Sequence, residues 1–207
     1  MPASSLLAFL LAAGLLTVTP GLDTALVLRT ATVEGARRAL LATVGITLGC
    51  LVWGAAVALG LAALLTASRL AYTLLTWAGA AYLLWLGLLL LLRPRDSMGS
   101  AAPAAGAGGG ATWFLRGLLG NLLNPKIGVF YVSFLPQFVP AGTAPGPYIF
   151  FLAMLHVGLG LLWYAVLILA TTPLNRALRR AGTIRALDRL TGTAFIAFGV
   201  KLALSRD

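Results

Sequence analysis

Thr19-Pro20-Gly21-Leu22-Asp23, near the front of the chain, sets a helix-breaking proline and a carboxylate inside a long apolar run. Asn124-Pro125-Lys126 repeats the pattern with an ammonium in place of the carboxylate. Proline removes a backbone donor and clashes with the preceding turn. A charge at membrane depth faces a partner or a wet cavity as a rule, and marks a functional path. The two interruptions are therefore expected to form the working site of a small transporter.

Composition supports the membrane premise. Of 207 residues, 60% are hydrophobic and 10% charged, whereas a soluble domain carries about 25% charged residues. The net charge of +10 comes from 15 Lys and Arg against 5 Asp and Glu. No soluble domain exists to present that charge to nucleic acid, so no nucleic-acid partner is expected, and basic residues here are read as orienting the chain in the lipid bilayer. Cys50 is alone, which excludes an internal disulfide and a cysteine metal cluster. The first basic residue is Arg29, so the N-terminus lacks the basic region of a signal peptide and is read as a retained span.

A spanning helix needs about 20 mostly apolar residues. Six such segments can be drawn, over residues 5–29, 39–65, 70–92, 113–139, 147–171 and 187–204. Pro20 interrupts the first and Pro125 the fourth. Arg29, Arg37, Arg38, Arg93, Arg95, Arg116, Arg176, Arg179, Arg180, Arg185 and Arg189 fall in the first, third and fifth connections. Positive charge stays cytoplasmic, which predicts six crossings of a bacterial-type plasma (inner) membrane with both termini outside.

The glycine- and alanine-rich stretch 94–112 reads as a flexible cytoplasmic linker. It divides the chain into residues 1–93 and 113–207, with three spans each. Gly79-Ala80-Ala81-Tyr82-Leu83 in the third span echoes Gly192-Thr193-Ala194-Phe195-Ile196 in the sixth, and Pro20 corresponds to Pro125. With three spans per half, the second half starts from the opposite side. The expected fold is all-α: a polytopic membrane protein of six transmembrane helices in two inverted three-helix repeats, the plan in which broken helices meet near the midplane.

Depth brings the two charges together. At about 1.5 Å of rise per residue, Lys126 lies about 20 Å from the inner end of its span and Asp23 about 14 Å from the same face. An Asp23–Lys126 pair is expected, because a buried pair is far better tolerated than a lone ion; the alternative is that Asp23 caps the resumed helix while Lys126 snorkels to the cytoplasm. Gly21 and the two prolines leave backbone groups unpaired, and these attract carboxylates and cations at half-helix ends. Asn121 and Asn124 add amide donors and acceptors, and Asn121 fits interhelical bonding equally well. His156, the only histidine, is able to relay protons, although a lone histidine more often bonds between helices. Gly45, Gly49, Gly158 and Gly160 are read as close-packing positions. Tyr131, Trp163 and Tyr164 could line a cavity, although aromatics in spans mostly pack or anchor at the interface. Of the five acids only Asp23 lies clearly inside a span, so no carboxylate pair exists for an intramembrane protease. No zinc-protease, P-loop or nucleophile-elbow motif is present. The chain is read as no enzyme, with no cofactor and no metal.

Taken together, four stretches resemble the LysE/RhtB family of amino-acid exporters. These are Thr19-Pro20-Gly21-Leu22-Asp23; Gly79-Ala80-Ala81-Tyr82-Leu83 with Gly87; Phe114-Leu115-Arg116-Gly117 followed by Asn121-Leu122-Leu123-Asn124-Pro125-Lys126; and Leu135-Pro136-Gln137-Phe138. The resemblance covers nearly the whole chain. Leu22 departs from it, standing where the family commonly has a second proline, which would give a milder break. The resemblance implies an inner-membrane exporter of amino acids or their derivatives, coupled to protons. In that reading Asp23 binds the substrate ammonium or carries the proton, and Lys126 neutralises Asp23 or binds the substrate carboxylate. Asn124, Asn121, Pro20, Gly21 and Pro125 complete the site. A homo-oligomer is compatible with this plan. The alternatives are an exporter of another small solute or a cation, for which one carboxylate is thin coordination, and a non-transporting accessory subunit.

Overall fold

The computed structural model describes residues 3–67, 69–94, 109–170 and 180–204, and their regular structure is helical throughout. α1 (Ala3–Val18) and α2 (Leu22–Val33) form the first broken element, followed by α3 (Ala36–Ala67) and α4 (Arg69–Leu92). α5 (Gly110–Leu122) and α6 (Pro125–Val129) form the second, and α6 continues through a π turn (Phe130–Phe134) and a 3-10 turn (Leu135–Phe138). α7 (Pro145–Leu169) and α8 (Ala181–Leu204) complete the chain. Ala36–Gly60 and Pro145–Leu169 are each long and apolar enough to cross a bilayer. The two broken elements qualify as bent pairs, with bends of 52° and 53°. The chain is an all-α polytopic membrane protein. Of the expected linker over residues 94–112, residues 95–108 lie outside the described residues, as do Arg95, Arg176 and Arg179, while residues 110–112 belong to the first turn of α5.

Both breaks follow from local chemistry. A residue before proline is pushed out of the α region, and α1 stops at Val18, just ahead of Thr19-Pro20. Gly21 is the extended N-cap from which α2 resumes. At the second break Asn124 is the N-cap, and its side chain accepts from the Lys126 amide at 3.1 Å. Pro125 then occupies the first helical turn, where its missing N–H costs nothing. Pro20 thus lies within the first break and Pro125 in the first turn after the second, so the two prolines do not hold the same place relative to the helices that resume. Leu22 opens α2, which removes the weight placed on it: the first N–H groups of a helix have no intrahelical acceptor in any case, so leucine here leaves the break as complete as proline would.

Small residues set the helix contacts. A β-carbon at Gly117 would overlap the Ala42 carbonyl oxygen, and one at Gly45 the Phe114 carbonyl oxygen. Gly49 faces Asn121 in the same register, so α3 and α5 run parallel. Gly87 meets Gly192, and Gly199 meets Ala80, so α4 and α8 run antiparallel. These are the relative directions that alternating crossings require. Gly158 and Gly160 do not serve as close-packing positions: a β-carbon at Gly158 would meet nothing within 4 Å, and one at Gly160 only Tyr164 of its own helix. Overpacking costs about 1–3 kcal/mol and more where backbone must move. Gly117→Leu is expected to cost at least the upper end of that range, read as a lowered unfolding midpoint in detergent. Gly14→Ala, with open space around it, should leave the midpoint unchanged or slightly raised.

α8 starts earlier than the apolar run suggests. Ile184, Asp188, Thr191 and Phe195 form a buried stripe at helical spacing, while Arg185 and Arg189 ride on the exposed side. Those two arginines belong to a helix and not to the fifth connection. The opposite face is charged, so mean hydropathy hides what the period reveals. Asp188 is fully buried, so Asp23 is not the only acid inside the bundle.

Candidate functional site

Two apolar clusters occupy opposite ends of the bundle. One joins Phe9, Phe134 and Phe138 to residues 50–58 of α3 and 149–157 of α7. The other joins Leu26, Val27, Leu28 and Trp113 to residues 39–46 of α3 and 164–168 of α7. Between them, halfway along the two straight spans, lie both breaks. Polar groups gathered at this depth must satisfy one another, since hydrocarbon supplies no partners.

The structure brings the expected site residues together. Asn121 Nδ2 donates to Asp23 Oδ2 at 2.8 Å and lies 3.4 Å from Cys50 Sγ. Lys126 Nζ reaches back to the first break, donating to the carbonyls of Leu16 at 3.1 Å and Thr19 at 3.0 Å. Leu16 is in the last turn of α1, whose carbonyls lack intrahelical donors and carry the negative end of the dipole. Asp23 is in the first turn of α2, at a positive end. Each charge therefore sits where a helix end attracts it. Lys126 does not snorkel, and Asp23 is not the cap. Asp23, Asn124 and Lys126 border the same cavity.

Asp23, Thr24, Thr47, Cys50, Lys126 and Tyr164 are among the residues around a central cavity of about 30 Å³. At about 10–15 Å³ per water, that admits about two. Gly21, Asn124 and His156 also line it. Tyr131 Oη and His156 Nδ1 are 2.9 Å apart, so His156 makes the interhelical bond that a lone histidine favours while still bordering the cavity. The hydroxyls of Thr19 and Thr191 form a short hydrogen bond that ties the first break to α8.

Tyr164 lines the cavity, the role that its place in an apolar span leaves open beside packing. Thr24, Thr47, Cys50 and Thr191 carry no signal of their own, since each is unremarkable inside an apolar helix; Thr19 is marked only by its place beside Pro20. Arg116 is not the loop charge that the positive-inside reading makes of it. It lies in the second turn of α5, with its guanidinium carbon 4.5 Å from the centroid of the Trp113 ring.

The comparisons agree with this architecture. Residues 15–206 match the family model described as LysE type translocator. The threonine efflux protein of Escherichia coli (strain K12) is 30% identical over 91% of this chain and 92% of its own length. The leucine efflux protein of Klebsiella pneumoniae is 31% identical over 95% and 93%. An uncharacterized membrane protein of Bacillus subtilis (strain 168) is 28% identical over 97% and 99%. No solved structure is a significant match. A chain that matches this model over nearly its whole length, with both broken helices in place, belongs to the family of LysE type translocators, which are transport proteins and not enzymes.

Proposed function

We propose that the protein exports amino acids or their derivatives across the plasma membrane, driven by the proton gradient, with Asp23 and Lys126 as its working charges. The observation that carries this reading is the meeting of the two breaks. One carboxylate, one ammonium and the carbonyls of an interrupted helix converge at mid-depth around one small cavity. A free amino acid presents one group of each sign, and half-helix ends bind both kinds. The names of the threonine and leucine efflux relatives support the substrate class.

The cavity is far smaller than the roughly 300–1,000 Å³ of a ligand site, so a bound amino acid requires the breaks to move apart. In the proposed cycle, substrate ammonium displaces Asn121 from Asp23 and substrate carboxylate draws Lys126 away from the Leu16 and Thr19 carbonyls. Protonation of Asp23 from outside weakens its hold on the ammonium and releases the substrate. Residues 1–93 and 113–207 act as inverted repeats rocking about this site; the near-equal bends of 52° and 53° support that plan. Both termini face outward.

Purified protein in liposomes, loaded with unlabelled amino acids and presented with labelled ones, tests the reading. Counterflow of at least one amino acid is expected, with accumulation against its gradient when the pH gradient is imposed. Absence of counterflow across a full amino-acid panel would favour an accessory subunit.

A further inference from the structure

A second cavity opens beside the central one, between α2 and α5. It measures about 420 Å³ and is lined by Leu22, Leu26, Leu115, Leu119 and Leu123, with Asp23 at one place and Arg116 at another. Its size falls within the roughly 300–1,000 Å³ of small-molecule sites, as that of the central cavity does not. Arg116 Nη1 is buried and has no hydrogen-bond partner among the described residues. A guanidinium seated over Trp113 with a buried, unanswered donor is prepared for a carboxylate, which it can bind through paired N–H groups.

Asp23 and Arg116 both border the groove, so one ligand that carries an ammonium and a carboxylate can meet both. The leucine lining asks for an apolar side chain, since a polar one would lose its hydrogen bonds there. Gly120 also borders the cavity, and a β-carbon there would meet nothing within 4 Å.

We propose that this groove is the access site for an aliphatic α-amino acid, in which Arg116 takes the carboxylate and Asp23 the ammonium before the substrate passes to the central cavity. The proposal rests on the amino-acid export reading above and adds the residues that choose the substrate. Arg116 sits at the end of α5 where the basic connections lie, so the groove faces the side from which export begins. Gly120 is the specificity-determining position, because a side chain larger than a methyl group placed there enters the space meant for the ligand.

Counterflow in proteoliposomes tests it, using labelled leucine and alanine with leucinamide, which lacks the carboxylate, as competitor. The wild type should prefer leucine over leucinamide by about tenfold or more. Arg116→Gln should raise the half-saturating leucine concentration at least about tenfold and abolish the preference over leucinamide. Arg116→Lys keeps the charge without the planar fork and should fall between. Gly120→Leu should cut leucine counterflow at least about tenfold while sparing alanine, and Gly120→Ala should match the wild type. A monodisperse detergent peak for each variant establishes folding. If Arg116→Gln and Arg116→Lys both keep wild-type leucine kinetics, or Gly120→Leu treats leucine and alanine alike, the assignment is wrong. A groove that only holds lipid gives that same kinetic result together with altered bound phospholipid. Loss of all counterflow in the wild type would instead overturn the export reading itself, and this proposal with it.

Discussion

Asp23→Asn is expected to abolish proton-driven export while leaving the protein folded. Asparagine preserves the shape of the side chain and keeps an oxygen for the 2.8 Å bond from Asn121. Only the charge is lost. A hydrogen bond to a charged group contributes about 1.5–3 kcal/mol, so a substrate ammonium that Asp23 binds should be held about 10- to 150-fold less tightly. Two assays separate the roles assigned to this carboxylate. Counterflow at equal pH on both sides reports binding and passage, and efflux driven by an imposed pH gradient reports coupling. Loss of both identifies Asp23 as the ammonium site; loss of the second alone identifies it as the coupling group. Asp23→Asn protein at normal levels that retains both, with an unchanged pH dependence, would remove Asp23 from the mechanism. Asp23→Glu should be intermediate, because an added methylene must fit among side chains already in contact around Cys50 and Tyr164.

The positions of the breaks were legible because they violate a rule. A proline and a charge inside an apolar run have few structural explanations, so Pro20 with Asp23 and Pro125 with Lys126 stand out before any helix is placed. The span boundaries at α3, α4 and α7 fell within a few residues of the apolar runs for the same reason: length and hydropathy are strongly constrained by the bilayer. What could not be read is how each charge is satisfied. Depth arithmetic brought Lys126 near Asp23, but not to the Leu16 and Thr19 carbonyls, because the 52° bend that turns those carbonyls toward α6 is a tertiary property.

Two residues escaped for a different reason. Arg116 and Asp188 sit near the ends of apolar runs, where positive-inside logic and a hydropathy window both assign charges to loops. Each lies on a helix that extends past its run. The bond between Thr19 and Thr191 joins residues 172 apart, and nothing local in either helix announces it. Gly45 and Gly117 were different again: a small residue suggests a close approach, but only the facing carbonyls of Phe114 and Ala42 show which helix comes close. Rule-breaking residues mark the candidate site, and ordinary residues complete it through contacts made only on folding.

Lys126→Met should lower stability more than any other single change at the site, and Asp23→Asn should partly restore it. Methionine matches the length and apolar stem of lysine but has no donor. The Leu16 and Thr19 carbonyls, bonded to Nζ at 3.1 and 3.0 Å, would then lose a partner in a place that water scarcely reaches. Each unsatisfied buried group costs about 1–3 kcal/mol. Asp23 would also lose the ammonium that borders the same cavity, at a cost below the about 3–5 kcal/mol of a broken buried contact pair. A fall of about 10 °C in the unfolding midpoint is the expected result. Removing the Asp23 charge as well relieves the second penalty but not the first. The double variant should therefore recover part of the lost stability, with a coupling of about 1–3 kcal/mol, and recover no transport. Strict additivity of the two changes would mean that the charges do not interact. An unchanged midpoint in Lys126→Met would mean that the ammonium does not hold the first break. Full transport in the double variant would show that neither charge is needed to move the substrate, leaving the backbone ends of the two broken helices to do so.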